Sequence, residues 1–361
     1  MAKTALFVAG GTGGHIFPAR ATADELVSRG WTVQLITDAR GARHAGDFPG
    51  GPLIQIEASS PFQKNPLKLV RALLQLARGY GQSRKAIKEL QPDVVVGFGG
   101  YPAFPVLAAA RTTSLPYLIH EQNAVLGRVN RVFSGSAAHV ASGFSRLDKL
   151  KDTSRQSVVG NPVRRPILSA LETSYAGPSD DGPIEILVIG GSLGARLLSL
   201  TVPKAIALLP EDLRQRLHVV QQTRDETLDE VRTIYAQAGV KADLASFFDD
   251  MGALYGQSHL VISRAGASSV SEIATVGRPA IFVPLGIAMD DHQTANAEGL
   301  ARNGSAEVIS EADFTAERLS QCLETALRDG DGLRQRAQAA RMLACENAAE
   351  RLADLIASTA E

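Results

Sequence analysis

TALFVAGGTGGH, residues 4–15, is a short apolar run that ends in glycine, and its pattern returns about 180 residues later as IEILVIGGSLGAR, residues 184–196. Each run reads as a strand buried in a parallel sheet that feeds a glycine loop. After the first, PARATADELVSRG (18–30) reads as a helix, with Pro18 near its first turn and Gly30 as its stop. WTVQLIT (31–37), PDVVVGFGGYP (92–102), PYLIHEQN (116–123), HVASGF (139–144) and QSVVGNPVR (156–164) supply further strands. After the second run come LHVVQQT (217–223), ADLASFFDD (242–250), SHLVISRAG (258–266) and RPAIFVPLG (278–286), with helical patterns between them. Strand alternating with helix predicts an α/β fold, and the restart predicts two doubly wound parallel-sheet domains. RPILSALETSYAGPSDDGP (165–183), rich in Pro, Gly and Ser, reads as the linker, and the tail from about 332 to 361 reads as helix. Ligands in such sheets bind outside the carboxyl ends of the strands, so two facing domains are expected to place a site in the cleft between them.

Composition narrows the function. A length of 361 residues exceeds one ordinary core, and 45% hydrophobic with 21% charged residues fits a globular enzyme. The two cysteines, Cys322 and Cys345, form no CxxC pair and no metal spacing, so they read as buried thiols in a reducing compartment, without structural zinc. The start, MAKTALFVAGG, lacks the apolar core and cleavage site of a signal peptide. No stretch approaches the ~20 apolar residues of a membrane span. The expected location is the cytosol or a membrane surface. Of the 37 Lys and Arg and 38 Asp and Glu, residues 1–160 hold 19 and 10, a surplus of nine positive charges. The remaining 18 and 28 leave ten negative ones. The basic half is expected to face something anionic. With aromatics at 5% and no recognisable motif, nucleic acid is not expected; anionic lipid or a phosphorylated substrate fits.

Glycine loops between strand and helix expose backbone N–H groups at the positive end of a helix dipole and form anion sites. The chain has three: Gly10–His15, Gly97–Tyr101 and Gly190–Ala195. Each alone can be a tight turn without a ligand; three together favour phosphate at more than one. GGTGGH and GGSLGA both miss the G-x-G-x-x-G spacing of a dinucleotide fold, and no GxxxxGK[ST] is present. Asp38, at the end of the second strand, keeps a nicotinamide reading open. His15 sits at a helix N-terminus, which favours the neutral ring, so it reads either as a general base or as a histidine that only hydrogen-bonds the loop or a ligand. Glu272, on the first turns of a helix opened by Gly266 to Ser269, reads as an acceptor for both ribose hydroxyls or as a helix-capping group. FFDDM (247–251) reads as an apolar wall with an N-capping Asp, and DDHQTANA (290–297) as a helix start that carries Gln293 and Asn296, a site or merely a solvated turn.

KNPLKLVRALLQLARGY (64–80) is amphipathic. Leu67, Leu69, Val70, Leu73, Leu74, Leu76, Ala77 and Tyr80 fall on one half of a helical wheel, and Lys64, Lys68, Arg71 and Arg78 on the other. Such a helix lies on a membrane surface or is a half-buried helix with a solvated basic face. The surplus of positive charge favours a surface built from Lys64, Lys68, Leu69, Arg71, Leu73, Leu76, Arg78 and Tyr80, at about 1 kcal/mol per basic residue.

GGTGGHIFPA, GFGGYPAFP, HEQNAVLGRVNR, VVGNPVR, GGSLGAR, FFDDM, SRAGASSVSEI and DDHQTANA, in this order and over nearly the whole chain, resemble the MurG family. The family makes lipid II from lipid I in bacterial peptidoglycan synthesis. The resemblance implies a GT-B fold, with a first Rossmann-like domain over 1–163, a second over 164–339, and a C-terminal helix at about 340–361 that returns to the first. It implies UDP-GlcNAc as donor, undecaprenyl-diphosphate-MurNAc-pentapeptide as acceptor, and β-1,4 transfer with inversion. It further implies the cytoplasmic face of the inner membrane as location, and cell-wall synthesis and division proteins as partners. By position, Thr12, Gly13, Gly14 and Asn123 would touch the donor, and Arg164 and Ser192 its diphosphate. Phe248 would pack on uracil, and Ala267, Ser268, Ser269, Val270, Ser271 and Glu272 would hold nucleotide and ribose. Gln293 would hold sugar hydroxyls, with His292 as the residue before it. Gly13, Gly14, Gly99, Gly100 and Tyr101 would receive the acceptor diphosphate. Helix N-termini and Arg164 can then stabilise the leaving UDP, so no cofactor and a metal-independent transfer are expected, with His15 as base. Another GT-B enzyme acting on UDP-sugars, such as a UDP-GlcNAc 2-epimerase, and a non-catalytic sugar-nucleotide-binding subunit are the alternatives.

Overall fold

The opening apolar run forms strand β1 (Thr4–Val8), in which Ala5 to Val8 are inaccessible to solvent. Its side chains alternate between two cores. Ala5 and Phe7 join Leu26, Leu35 and Val96, whereas Leu6 and Val8 join Ile36, Val95 and Leu107. Burial on both faces is why the run carries no polar residue after Thr4.

In this computed structural model, which describes residues 2–60, 62, 65–179, 181–191 and 196–361, the chain divides into two units. One consists of Met1–Arg164 with Cys345–Glu361, the other of Arg165–Ala344. The first holds β1, β2 (Thr32–Thr37), β3 (Ile54–Gln55), β4 (Val94–Gly97), β5 (Tyr117–Glu121), β6 (Val140–Ser142) and β7 (Gln156–Val158). They form one seven-stranded sheet in the order β3-β2-β1-β4-β5-β6-β7, every pair parallel. The second holds β8 (Ile184–Ile189), β9 (Leu217–Gln222), β10 (Lys241–Ala245), β11 (Leu260–Ser263), β12 (Ala280–Phe282) and β13 (Ala306–Val308), all parallel, in the order β10-β9-β8-β11-β12-β13. Both sheets contain the Rossmann order 3-2-1-4-5-6, to which the first adds β7 at its edge, and the direction reverses between β1 and β4 and between β8 and β11. Two Rossmann-like parallel sheets are the expected fold class. The edge strands β3 and β13, two and three residues long, leave no periodic signal and were not expected from sequence.

Three expectations need correction. The first helix is Gly13–Ser28, so Pro18 lies inside it and not near its first turn. Glycine is a poor helix former, which hides the true start; the turn is held by the burial of Ile16 and by the Phe17 ring lying over Gly13 on the same helix. The stretch 165–183 is not a plain linker: Arg165–Leu168 is helical, Ser169–Glu172 is a 3-10 turn, and Gly252 packs on the Pro166 carbonyl. Tyr175 is bonded to the His259 carbonyl (2.8 Å) and lies under the Arg278 guanidinium (5.1 Å). Arg278, 1% exposed, donates to the carbonyls of Tyr255, Gly256, Val276 and Gly277, at the ends of two helices where the dipole favours a cation. Burial lowers its pKa to about 10. The tail, finally, is two helices, Gly330–Met342 in the second unit and Ala348–Thr359 in the first. The latter packs on the Gly13–Ser28 helix and buries Leu352 and Ile356 completely, about 2 kcal/mol each.

The basic amphipathic segment becomes the helix Pro66–Leu90, capped by the Asn65 side chain on the Leu67 and Lys68 amides (3.0 and 3.2 Å). Its buried stripe is Ala72, Leu76, Gly79, Ser83, Ala86 and Ile87. Leu76, expected at the surface, is therefore core, and Tyr80 is half-buried with its hydroxyl on Thr112 (2.8 Å). Leu69 is half-buried, while Lys68, Arg71 and Arg78 are exposed. Lys64 lies outside the described residues. The small residues of the stripe are required by close approach: a Cβ on Gly79 would overlap the Glu57 carbonyl oxygen and lie 3.3 Å from Pro105 Cγ. Around Gly81, on the same helix, there is open space. Gly79→Ala is thus expected to lose about 1–3 kcal/mol to overpacking, which outweighs its gain in helix propensity, whereas Gly81→Ala should gain up to about 1 kcal/mol. Urea denaturation of the two variants checks both signs.

Candidate active site

In the first unit, the loops after β1 and β4 meet at the point where the strand order reverses. A Cβ on Gly100 would lie 2.7 Å from the Gly10 carbonyl oxygen, and one on Gly10 would run into the Pro102 ring. Gly11, Gly99 and Gly100 have φ of +85°, +93° and +79°, which favour glycine. Thr12, at the N-cap position, is extended and gives no side-chain cap; its carbonyl accepts from the His15 and Ile16 amides (3.2 and 3.4 Å), which leaves the Gly13 and Gly14 amides uncapped by it. Thr12 is exposed, Gly13 buried, and Gly14 and Tyr101 are half-buried. The Arg40 guanidinium lies 5.9 Å from the Tyr101 ring centroid. Asp38, by contrast, is engaged by the chain itself. Its Oδ1 accepts from the Gly41 and Gly11 amides (2.8 and 3.3 Å) and its Oδ2 pairs with Arg40 (3.3 Å).

His15, on the third residue of the helix, is half-buried and reaches Gln122 Oε1 with Nδ1 at 2.8 Å. A Cβ on Gly99 would lie 3.1 Å from its Cε1. Gln122 follows β5, whose last residues are polar yet buried. Glu121, 2% exposed, is held by four N–H groups and, among the described residues, bonds to no cation. Oε1 accepts from the Asn123 amide and Nδ2 (both 3.1 Å), and Oε2 from the Gly127 amide and Asn130 Nδ2 (both 2.8 Å). These bonds orient half-buried Asn123. Asn130 Oδ1 is buried without a hydrogen-bond partner among the described residues, and its Nδ2 is 3.8 Å from the Gly99 Cβ position. Arg164, half-buried, belongs to this unit and stacks its guanidinium 4.5 Å from the Phe17 ring centroid, on the helix that carries His15.

The second unit opens a different helix N-terminus. Gly266 is the N-cap of Ala267–Val276 and offers no side chain, so the first-turn amides of Ala267, Ser268 and Ser269 have no side-chain cap. Ala267 and Val270 are buried; Ser268, Ser269 and Ser271 are half-buried. Glu272, 7% exposed, accepts from the Tyr255 hydroxyl (3.2 Å) and is not a helix cap. The loop ahead of this helix is pinned. Arg264 donates to the Val283 and Pro284 carbonyls (3.1 and 3.2 Å) and pairs with Glu311 (2.6 Å), whose other oxygen takes the Gly286 amide (2.8 Å). This pairing holds the Glu311 carboxyl below the usual range. Gln293 Oε1 accepts from the Leu285 amide (3.0 Å), which leaves its NH2 group as the donor end of the side chain. His292, the residue before it, is half-buried. Asn296 is not solvated but fully buried, on the Ala265 carbonyl (3.1 Å). Phe248 is half-buried and Phe247 is 70% exposed, just before Asp250 caps the next helix on the Ala253 amide (2.9 Å). Ser192, with the rest of 192–195, lies outside the described residues.

Two family models match the chain: the glycosyltransferase family 28 N-terminal domain over residues 5–142 and its C-terminal domain over residues 185–356. A curated protein of Maricaulis maris named UDP-N-acetylglucosamine--N-acetylmuramyl-(pentapeptide) pyrophosphoryl-undecaprenol N-acetylglucosamine transferase is 56% identical over 97% of this chain and 96% of its own. The protein of that name from Phenylobacterium zucineum is 47% identical over 100% and 99%. The crystal structure of Acinetobacter baumannii MurG superimposes with a TM-score of 0.80, at 33% identity, covering 99% of each chain. The chain belongs to the MurG family.

In this MurG-family chain, sequence reasoning took Asn123 from HEQN but passed over His120, Glu121 and Gln122, and it missed Asn130 and the Arg264–Glu311 pair. The signal present was a polar run at the end of a strand in which every residue is buried. His120 is wholly buried and its Nε2 donates to the Gly160 carbonyl (3.0 Å); burial lowers its pKa to about 4. The unfolded chain therefore takes up the proton near pH 6.5, and the folded one only near pH 4. The associated stability is complete above pH 6.5 and is lost as pH falls to about 4, a change of about 3 kcal/mol. Denaturant titrations at stepped pH should show this loss in the wild type, and His120→Asn should lack that component.

Proposed function

We propose that the chain transfers GlcNAc from UDP-GlcNAc to the 4-hydroxyl of the MurNAc of undecaprenyl-pyrophosphoryl-MurNAc-pentapeptide, lipid I to lipid II, with inversion. Full-length 56% identity to the transferase of that name carries the reading. The geometry supports a division of labour. In the second unit, the open N-terminus of Ala267–Val276 takes the donor phosphates, Glu272 the ribose hydroxyls, Phe248 the uracil, and Gln293, through its NH2 group, the sugar. In the first, the amides of Gly13 and Gly14 with Gly99, Gly100 and Tyr101 take the acceptor diphosphate, while Thr12 and Asn123 contact the transferred sugar. His15 removes the proton from the attacking hydroxyl as the oxygen bonds to C1 of GlcNAc. The C1–O bond to UDP breaks with its electron pair, and the leaving charge falls on helix N-termini and Arg164. One member of each acidic pair has another duty: Asp250 caps a helix and Asp291 accepts from the Thr294 hydroxyl (2.7 Å). We therefore propose that the transfer needs no metal.

Labelled UDP-GlcNAc and a short-chain lipid I analogue, with EDTA, should give labelled disaccharide-lipid and UDP. Dependence on added Mg²⁺ would remove the metal-free reading, and UDP-GlcNAc binding without transfer would remove the transferase. His15→Ala should lower kcat by about 10²–10⁴-fold and leave the KM for UDP-GlcNAc nearly unchanged.

We also place the chain at the anionic inner leaflet as a peripheral protein. Among the described residues no helix is long and apolar enough to cross a membrane. On the Pro66–Leu90 helix, however, Leu67 is 81% exposed, and Val70, Leu73 and Leu74 are more than half exposed, beside Lys68 and Arg71. Apolar side chains amid basic ones suit insertion below lipid head groups. Val70→Glu with Leu74→Glu should abolish cosedimentation with anionic phospholipid vesicles while transfer to the water-soluble acceptor continues. Undiminished vesicle binding would refute the placement.

A further inference from the structure

His15 is the start of a hydrogen-bond chain whose far end is backbone. Gln122 donates from Nε2 to two acceptors, the carbonyl of His120 (3.0 Å) and Nδ1 of the His120 ring (2.9 Å). A backbone carbonyl only accepts, so the Gln122 atom facing it is the NH2 group and the other is the carbonyl oxygen. This settles the amide orientation that distance alone leaves open. The His120 ring is constrained in the same way: its Nε2 faces the Gly160 carbonyl (3.0 Å) and must carry hydrogen, which leaves Nδ1 bare to accept from Gln122. Burial keeps this ring uncharged at neutral pH. Gln122 Oε1, 2.8 Å from His15 Nδ1, can then only accept, so Nδ1 of His15 carries its hydrogen. Nε2 of His15 has no hydrogen-bond partner among the described residues.

We infer that Gln122, itself fixed by His120, is a positioning residue that holds neutral His15 in the Nδ1–H tautomer and so presents Nε2 as the proton-accepting atom. The inference deepens the reading of His15 as the base and rests on it. The tautomer of an imidazole is set by the hydrogen bond its other nitrogen makes. Without Gln122, either nitrogen can hold the proton, and the ring loses the contact that fixes its plane. In the transfer, Nε2 takes the proton of the attacking hydroxyl, the ring becomes imidazolium, and its new charge lies one hydrogen bond from the Gln122 carbonyl oxygen. The relay joins the first helix to the ends of β5 and β7, so it exists only in the folded first unit.

The test is nitrogen-15 NMR of the full chain with labelled histidine, His15 being assigned by its loss in His15→Gln. In wild-type protein with neutral His15, Nδ1 should resonate as a protonated and Nε2 as an unprotonated nitrogen. A proton on Nε2 would overturn the inference outright, whatever the variants do. Gln122→Met, of similar length, should bring the two His15 resonances toward each other. It should also lower kcat on the order of 10²-fold while the KM for UDP-GlcNAc stays within about twofold. Unchanged resonances, or shifted resonances with unchanged kcat, would overturn it as well. A different failure marks the parent reading: if His15→Ala retains wild-type kcat, His15 is not the base, although the tautomer in the wild type can still be as described.

Discussion

The first unit depends on two backbones that touch. Gly10 and Gly100 belong to loops that leave neighbouring strands on opposite sides of the point where the sheet reverses its order. No side chain fits between them: one on Gly100 meets the Gly10 carbonyl, one on Gly10 meets Pro102. Next to this contact the helix after β1 starts at Gly13, without a side-chain cap and with His15 as its third residue. The cost in chain entropy, about 0.5–1 kcal/mol per glycine in a regular element, is what this close approach of two backbones requires.

Around that contact the unit buries several polar groups, among them His120, Glu121, Gln122 and Asn130. An unpaired carboxylate or imidazole in such a place would cost several kcal/mol, so each is tied down. Glu121 uses four N–H donors, and His120 uses one carbonyl and one amide. Paired in this way the two side chains are held in place, and Glu121 in turn orients Asn123. The second unit reaches a similar end with other means: an ion pair, Arg264 with Glu311, and a glutamine hold the loop beside the open helix N-terminus.

The Pro66–Leu90 helix shows where a wheel of hydrophobicity misleads. Ranked by side chain, Leu73 and Leu76 are equivalent. In the fold, Leu76 shares a stripe with Ala72, Gly79 and Ser83, small residues that let the helix approach the Glu57 backbone, whereas Leu73 and Leu74 turn to solvent. Size, not apolarity, selected the buried face, and that left the larger apolar residues exposed. The same logic explains the helix start hidden by Gly13 and Gly14, and the stretch 165–183, whose loop-like composition conceals a folded piece clamped by Arg278.

Local physics determined much of this protein directly. Period-two and continuous apolar runs are properties of neighbouring residues, so the central strands, their parallel pairing and the restart of the fold could be read from the chain. Clustered glycines likewise announced the tight loops after β1 and β4, since freedom at positive φ belongs to the residue itself. What only the tertiary structure decided were choices between equals: which leucines are buried, whether Asp38 serves a ligand or the chain, and which nitrogen of His15 carries hydrogen. Each depends on partners far along the sequence; Gln122 is 107 residues from His15, and Gly160 another 38 beyond it. A hydrogen bond has direction, and no periodicity in the chain records which way it points.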